Sequence, residues 1–342
     1  MKWIAAHPYG FSLALLAVLL AASVAVGSIF IPPTVMGALF QARLGGQPLT
    51  AALQPMDTIL FTLRLPRAVL ALLTGAALAG SGAAYQGLFR NPLADPYLIG
   101  VASGAGLGAV AAMSVRWPYT FWGLMVIPLA AFAGALVTVA VVLFLAKVQN
   151  SLPASNLILA GVAVSSFATA LTSFWMLRST GEVRRALVWL MGGATQSGWQ
   201  PVAAVLPYIG VGLTALILLG HSLNVMQFGD EQARQLGLRV ERVRALVIAA
   251  ASMTTAAAVA FAGIIGFVGL IVPHVVRLVW GGDYRRVIPL AVINGASLLL
   301  MADMLARTVI APQEIPVGIL TAMAGAPFFL WLLRRSRQQF SW

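Results

Sequence analysis

Residues 245–276 read ALVIAAASMTTAAAVAFAGIIGFVGLIVPHVV, an uncharged run whose length and interruptions decide the fold. A helix that crosses the hydrocarbon core of a bilayer needs about 20 mainly apolar residues. This run is too long for one crossing, and it is broken at Gly263, Gly266, Gly269 and Pro273. It predicts two helices, over 243–261 and 267–280, joined by a glycine-rich turn. Extended outward, the same test finds uncharged stretches at 3–42, 68–89, 96–115, 117–146, 148–177, 186–229, 287–302 and 315–333. They place further helices at 11–31, 66–86, 97–114, 121–146, 154–176, 200–219, 287–302 and 315–333. The expectation is an all-α polytopic membrane protein with ten transmembrane helices, forming one domain over residues 1–342. Residues 11–31 read as a retained first helix, because no small-residue cleavage pattern precedes Phe30.

Composition agrees. The 342 residues are 60% hydrophobic and 9% charged, against about 25% charged in ordinary soluble domains. The formal net charge is +12, but the basic residues lie mainly at the ends of apolar stretches. That is charge that orients a membrane protein, and no nucleic-acid partner is implied. With ten spans both termini share the side that holds most of the 21 basic residues, which places them in the cytoplasm of a bacterial inner membrane. The other side still carries Arg43, Arg64, Arg67, Arg116, Arg178, Arg184, Arg185 and Arg307, more than orientation needs. Small residues at Gly75, Ala79, Gly80 and Ala84, and at Gly100, Gly104 and Gly108, predict close helix packing.

Several segments depart from a plain bundle. Residues 86–96, QGLFRNPLADP, stop one helix and restart the next, either as a tight turn or as a broken helix on an internal pathway. Residues 223–244 form the longest polar loop on the inner side, and within it Gly229 and Gly237 bracket DEQARQL. Asp230 and Glu231 start this short helix and Arg234 ends it, as the helix dipole favours. A compact, capped helix on the inner face reads as a docking element for a cytosolic partner, with a solvated charged loop as the alternative. Ala186 to Gly193 reads as a short helix or re-entrant segment. Arg64-Leu65-Pro66-Arg67 opens the second span, with Pro66 in its first turn, and Arg307 falls in an outward loop.

Chemistry is hard to place. The chain has no cysteine, and its three histidines, His7, His221 and His274, are far apart, so neither a metal site nor a cofactor is implied. No GxxxxGK[ST], HExxH, GxSxG or GxGxxG occurs. None of the nine acidic residues pairs convincingly inside a span, which argues against a proton-driven carrier. An ion-coupled carrier and a membrane-embedded enzyme remain as the other classes.

LRLPR (63–67), NPLADP (91–96), ARQLGL (233–238), GFVGLIVPH (266–274) and EIPVG (314–318) together resemble the permeases of iron-complex and cobalamin ABC importers, over roughly 55–335. The resemblance implies a type II importer fold and a homodimer with two cytosolic ATP-binding subunits, where ATP is hydrolysed. It implies a periplasmic substrate-binding protein that delivers a bulky metal chelate: a ferric siderophore, haem or cobalamin. It assigns Arg64, Arg67 and Arg307 to docking of that protein. Asp230, Glu231, Arg234, Gln235, Leu236 and Gly237 become the ATPase coupling element. Trp175, Trp189, Met191, Gly192 and Gly193 are placed near the translocation path. WLMGG (189–193) is nearer the cobalamin permease pattern than the WxxGS common in siderophore permeases.

Overall fold

The computed structural model describes residues 7–337 apart from 28, 47–49, 51–52, 116, 119, 150, 179–182 and 194–197. Arg116, counted above on the outer side, lies outside the described residues. The described residues are helical almost throughout. In chain order the helices are α1 (Pro8–Ala25), α2 (Pro33–Gly45), α3 (Gln54–Leu88), α4 (Val101–Met113), α5 (Phe121–Ala146), α6 (Ala154–Arg178) and α7 (Val183–Leu190). They continue as α8 (Trp199–Leu218), α9 (Gly220–Met226), α10 (Asp230–Gln235), α11 (Val240–Ala262), α12 (Val268–Trp280), α13 (Tyr284–Thr308) and α14 (Val317–Arg337). Among the described residues, seven helices are long and apolar enough to cross a membrane: α1, α3, α5, α6, α8, α11 and α13. Shorter apolar helices lie at Val101–Met113, Val268–Trp280 and Val317–Leu330.

Helices α3, α11 and α13 form the centre, with 78%, 72% and 61% of their apolar windows buried, whereas α6 buries 22%. What lets α3 and α13 approach is glycine facing glycine. A Cβ on Gly75 would collide with the Gly295 carbonyl, and one on Gly295 with the Gly75 carbonyl. Without a hydrophobic drive in lipid, such backbone contact is a main source of helix association. The expected packing role of Gly104 and Gly108 holds in the same way, against Gly134 and Ala130 of α5.

The split within 245–276 is present. Helix α11 ends at Ala262 and α12 starts at Val268, with Gly263 at φ 78° and Phe267 at φ 68° between them. Residues 91–96 form a tight turn. Asn91 Oδ1 accepts from Leu93 N at 2.9 Å and Asp95 Oδ1 from Tyr97 N at 2.8 Å, so the break is capped locally.

Three expectations need correction. Pro66 does not open its helix, because α3 runs on from Gln54 through a π-helical stretch at Thr58–Arg64. Proline offers no N–H to the carbonyl four residues back, and a wider turn just before it accommodates the gap. Leu65 N accordingly bonds Leu60 O, five residues back. Arg307 lies in the last turn of α13, not in a loop. Helix α2 was not foreseen. It packs through Leu39 into a small second core with Val24, Ile31, Leu60 and Phe61.

Candidate functional site

Polar side chains gather at opposite ends of the central helices. At the end where α13 finishes, α1 also finishes, and a helix terminus in lipid leaves carbonyls that must be satisfied by protein. Arg64 donates from Nη1 to Val24 O at 3.0 Å and Ala25 O at 2.9 Å, and from Nη2 to Ile29 O. Arg307 donates from Nη2 to Ser23 O and Ser23 Oγ, both at 3.0 Å. Gly27 makes room, since a Cβ there would meet the Arg64 guanidinium. Both arginines are 7% exposed. In this conformation their charged ends face the chain's own backbone and not an outer rim.

Asp303 ties these elements together and corrects the expectation that no carboxylate is paired within a span. It is buried on α13, with Oδ1 2.9 Å from Arg67 Nε and Oδ2 3.0 Å from Arg307 Nε. Arg67 also donates from Nη1 to Glu314 Oε2 at 2.7 Å. Its side chain is 26% exposed and that of Glu314 52%, so this pair is the part of the cluster that reaches the surface. A small cavity beneath is lined by Arg67, Thr74, Gly192, Leu299, Asp303 and Val317.

At the opposite end, α10 is built as its sequence suggests. Gly229 precedes it at φ 104° and Gly237 follows at φ 85°. Leu238 N donates to Ala233 O and Gly237 N to Arg234 O, the paired bonds of a Schellman cap that only a left-handed residue closes cheaply. Asp230 accepts from the buried Arg244 at 2.6 Å, and Arg90 lies 3.8 Å away on its other oxygen. Glu241 receives Arg234 at 3.2 Å, Arg244 at 3.2 Å and Leu152 N at 3.3 Å. The short helix is thereby joined to α11, to the turn after α3 and to the segment before α6. Its outer surface stays open: Glu231, Arg234, Gln235 and Leu236 are exposed, with Phe228 beside them.

The residues assigned to a path divide. Trp175 on α6 and Met191 are exposed at 42% and 44%. Trp189 is 1% exposed, on the face of the amphipathic α7 that also buries Ala186. Gly192, at φ 75°, sits against Ile264, Ile265 and the start of α14 at Gly318, and Gly193 packs on Val188. The 189–193 segment therefore meets the α11–α12 break and α14, whereas Trp175 stands apart.

Sequence reasoning missed one polar link. Pro273 leaves the Gly269 carbonyl without its helical donor, and Gln86 Nε2 of α3 lies 3.5 Å from it and 3.1 Å from Leu270 O. Arg277 Nη2 in turn donates to Gln86 Oε1 at 2.5 Å. A proline inside an apolar helix was the available signal. Among the described residues no group of three or more histidines or carboxylates comes together.

Packed apolar helices with ion-pair clusters at their ends define a multi-pass membrane protein. The sequence profile of the FecCD transport family matches residues 15–335, and the chain belongs to that family. It is 48% identical over 280 residues to the cobalamin import system permease BtuC of Halobacterium salinarum, covering 81% of this chain and 74% of that protein. It is 43% identical over 338 residues to the uncharacterized ABC transporter permease YvrB of Bacillus subtilis, covering 98% and 94%. The hemin transport system permease HmuU of Yersinia pestis is 39% identical over 85% of this chain and 88% of its own length. A solved inward-facing structure assigned to the metal-chelate type of ABC transporter superposes with a TM-score of 0.81 at 30% identity, covering 95% and 97%.

Proposed function

We propose that this chain is the membrane-spanning subunit of an ATP-driven importer that carries a bulky metal chelate from periplasm to cytoplasm. The observation that carries the reading is α10, a capped helix braced against α11 with an exposed outer surface. A braced element of this kind can pass a push from a cytosolic ATPase into a central helix. Asp230, Arg234 and Gly237 shape and brace it, and Glu231, Gln235 and Leu236 provide the contact. The chain is a transport permease and not an enzyme, so hydrolysis belongs to a separate subunit.

In this reading the seven long helices and three short apolar ones make ten crossings, with both termini cytoplasmic. Two copies form the pathway, with the exposed face of α6 around Trp175, and Met191, Gly192 and Gly193, near it. Trp189 supports that segment from within. Arg67 offers a docking charge to a periplasmic substrate-binding protein, and Arg64 and Arg307 hold the helix ends around it. Cobalamin, haem and ferric siderophores are the candidate cargo, since the names of similar permeases include cobalamin and hemin.

The test is uptake in proteoliposomes holding the chain, its ATPase subunits and the substrate-binding protein, with cobalamin, haem and a ferric siderophore offered separately. Uptake of one of them that needs ATP and the binding protein is expected. Uptake by the chain alone, driven by an ion gradient, would replace this reading with the carrier one.

A further inference from the structure

We infer that Glu314 is a built-in competitor for docking, holding on Arg67 the place that a partner's carboxylate takes when the substrate-binding protein arrives. The inference rests on the docking reading above and adds what occupies the site beforehand. Of the three arginines at this end, Arg64 directs its N–H groups to backbone carbonyls of α1 and the turn after it, and Arg307 divides its own between Ser23 of α1 and the buried Asp303. Arg67 alone carries carboxylates on two of its nitrogens, and the two differ in kind. Asp303 holds Nε from inside the bundle, with its side chain 4% exposed. Glu314 holds Nη1 from the solvent side, with its side chain 52% exposed. The inner carboxylate fixes the guanidinium in place, and the outer one can be exchanged.

Exchange suits an importer that must bind and release its delivery protein in each cycle. Replacing one exposed carboxylate by another changes little in energy, because exposed ion pairs contribute little either way. The acidic partner side chain then gains mainly in rate and register. The exchange also has a destination. Glu314 lies just before α14, whose Gly318 packs against Met191 and Ile264. Displacing Glu314 therefore frees the segment that leads into the 189–193 contact.

The experiment uses the permease with its ATPase subunits in nanodiscs, titrated with the co-purified substrate-binding protein at low and high salt. Glu314→Gln should tighten binding about two- to fivefold at low salt, the span open to an exposed pair. The gain should shrink at high salt, and it should vanish in the Arg67→Gln background. Asp57→Asn, which neutralises the partner of Arg43 at the same end, serves as the control and should stay near wild type. Unchanged or weaker binding by Glu314→Gln overturns the inference, as does an equal gain in Asp57→Asn, which would reduce it to general charge. If Arg67→Gln weakens binding while Glu314→Gln is silent, only the competitor fails. If Arg67→Gln binds like wild type, the docking reading itself fails.

Discussion

The two ends of the central bundle both hold arginines and carboxylates, yet they solve different problems. At the α13 terminus Asp303 is buried between Arg67 and Arg307, and two of the arginines also close the end of α1. At the α10 end the carboxylates of Asp230 and Glu241 are each 32% exposed, and several of their partners stand in solvent. The first cluster is a structural joint built around a buried carboxylate, with the Arg67–Glu314 pair reaching the surface. The second is a bracket, where the charges orient a small helix whose outer surface is left for contact. Similar residue types thus do opposite work because desolvation differs.

Breaking the joint should have the largest effect. Asp303→Asn removes the buried counter-charge that Arg67 and Arg307 share, leaves Arg307 buried without it, and should destabilise the chain by ~3–5 kcal/mol. Thermal unfolding in detergent would show a lowered midpoint and reduced yield. A midpoint like that of wild type would mean that the joint carries no stability.

The bracket should give way more mildly. Arg244→Ala removes the buried partner of Asp230 and Glu241 and should cost ~1–3 kcal/mol locally. Binding-protein-stimulated ATP hydrolysis should fall several-fold, while membrane insertion persists. Arg234→Glu reverses charge at the exposed surface and should weaken ATPase association without moving the unfolding midpoint. If Arg234→Glu lowers the midpoint as far as Arg244→Ala does, the distinction between brace and contact is wrong.

The smallest effect concerns the turn after α3, beside the bracket. Burial pushes the Asp95 carboxyl up to about 6, against the pull of the Tyr97 N–H that it accepts. Its ordinary value is 3.8, so the folded state holds an extra proton between the two. That contribution to stability is complete below the ordinary value and is lost as pH rises through about 6. Relative to Asp95→Asn, the wild-type midpoint should fall as the pH is raised across this window. Parallel curves for the two proteins would count against the burial effect.

The two ends also differ in how much of them the sequence disclosed. The bracket was legible because its cues are local: Gly229, an acidic start, Arg234 and Gly237 lie within one short stretch. The joint was not, because Arg67 and Asp303 are 236 positions apart, and neither neighbourhood signals the other. The helix expected over 287–302 stops short of Asp303, whereas α13 continues past it to Thr308. The break at Gly263 was plain from the glycines, while α2 escaped because it is short and directly follows the first apolar run. Trp189 was placed by resemblance, and only the packed face of α7 reveals it as core.

The capping of α1 sets a timetable for biogenesis. Ser23 meets Arg307 only after 284 further residues have been joined to the chain. At ~5–20 residues per second this is a delay of roughly 15–60 s. For that interval Arg64, which reaches Val24 O and Ala25 O, can hold the tail of α1, while the Ser23 carbonyl waits for its partner. Helix α1 thus completes its contacts only once α13 has been made, and its docking can report that synthesis has passed α13. A ribosome stalled before Arg307 should leave α1 loosely held and open to quality-control proteases.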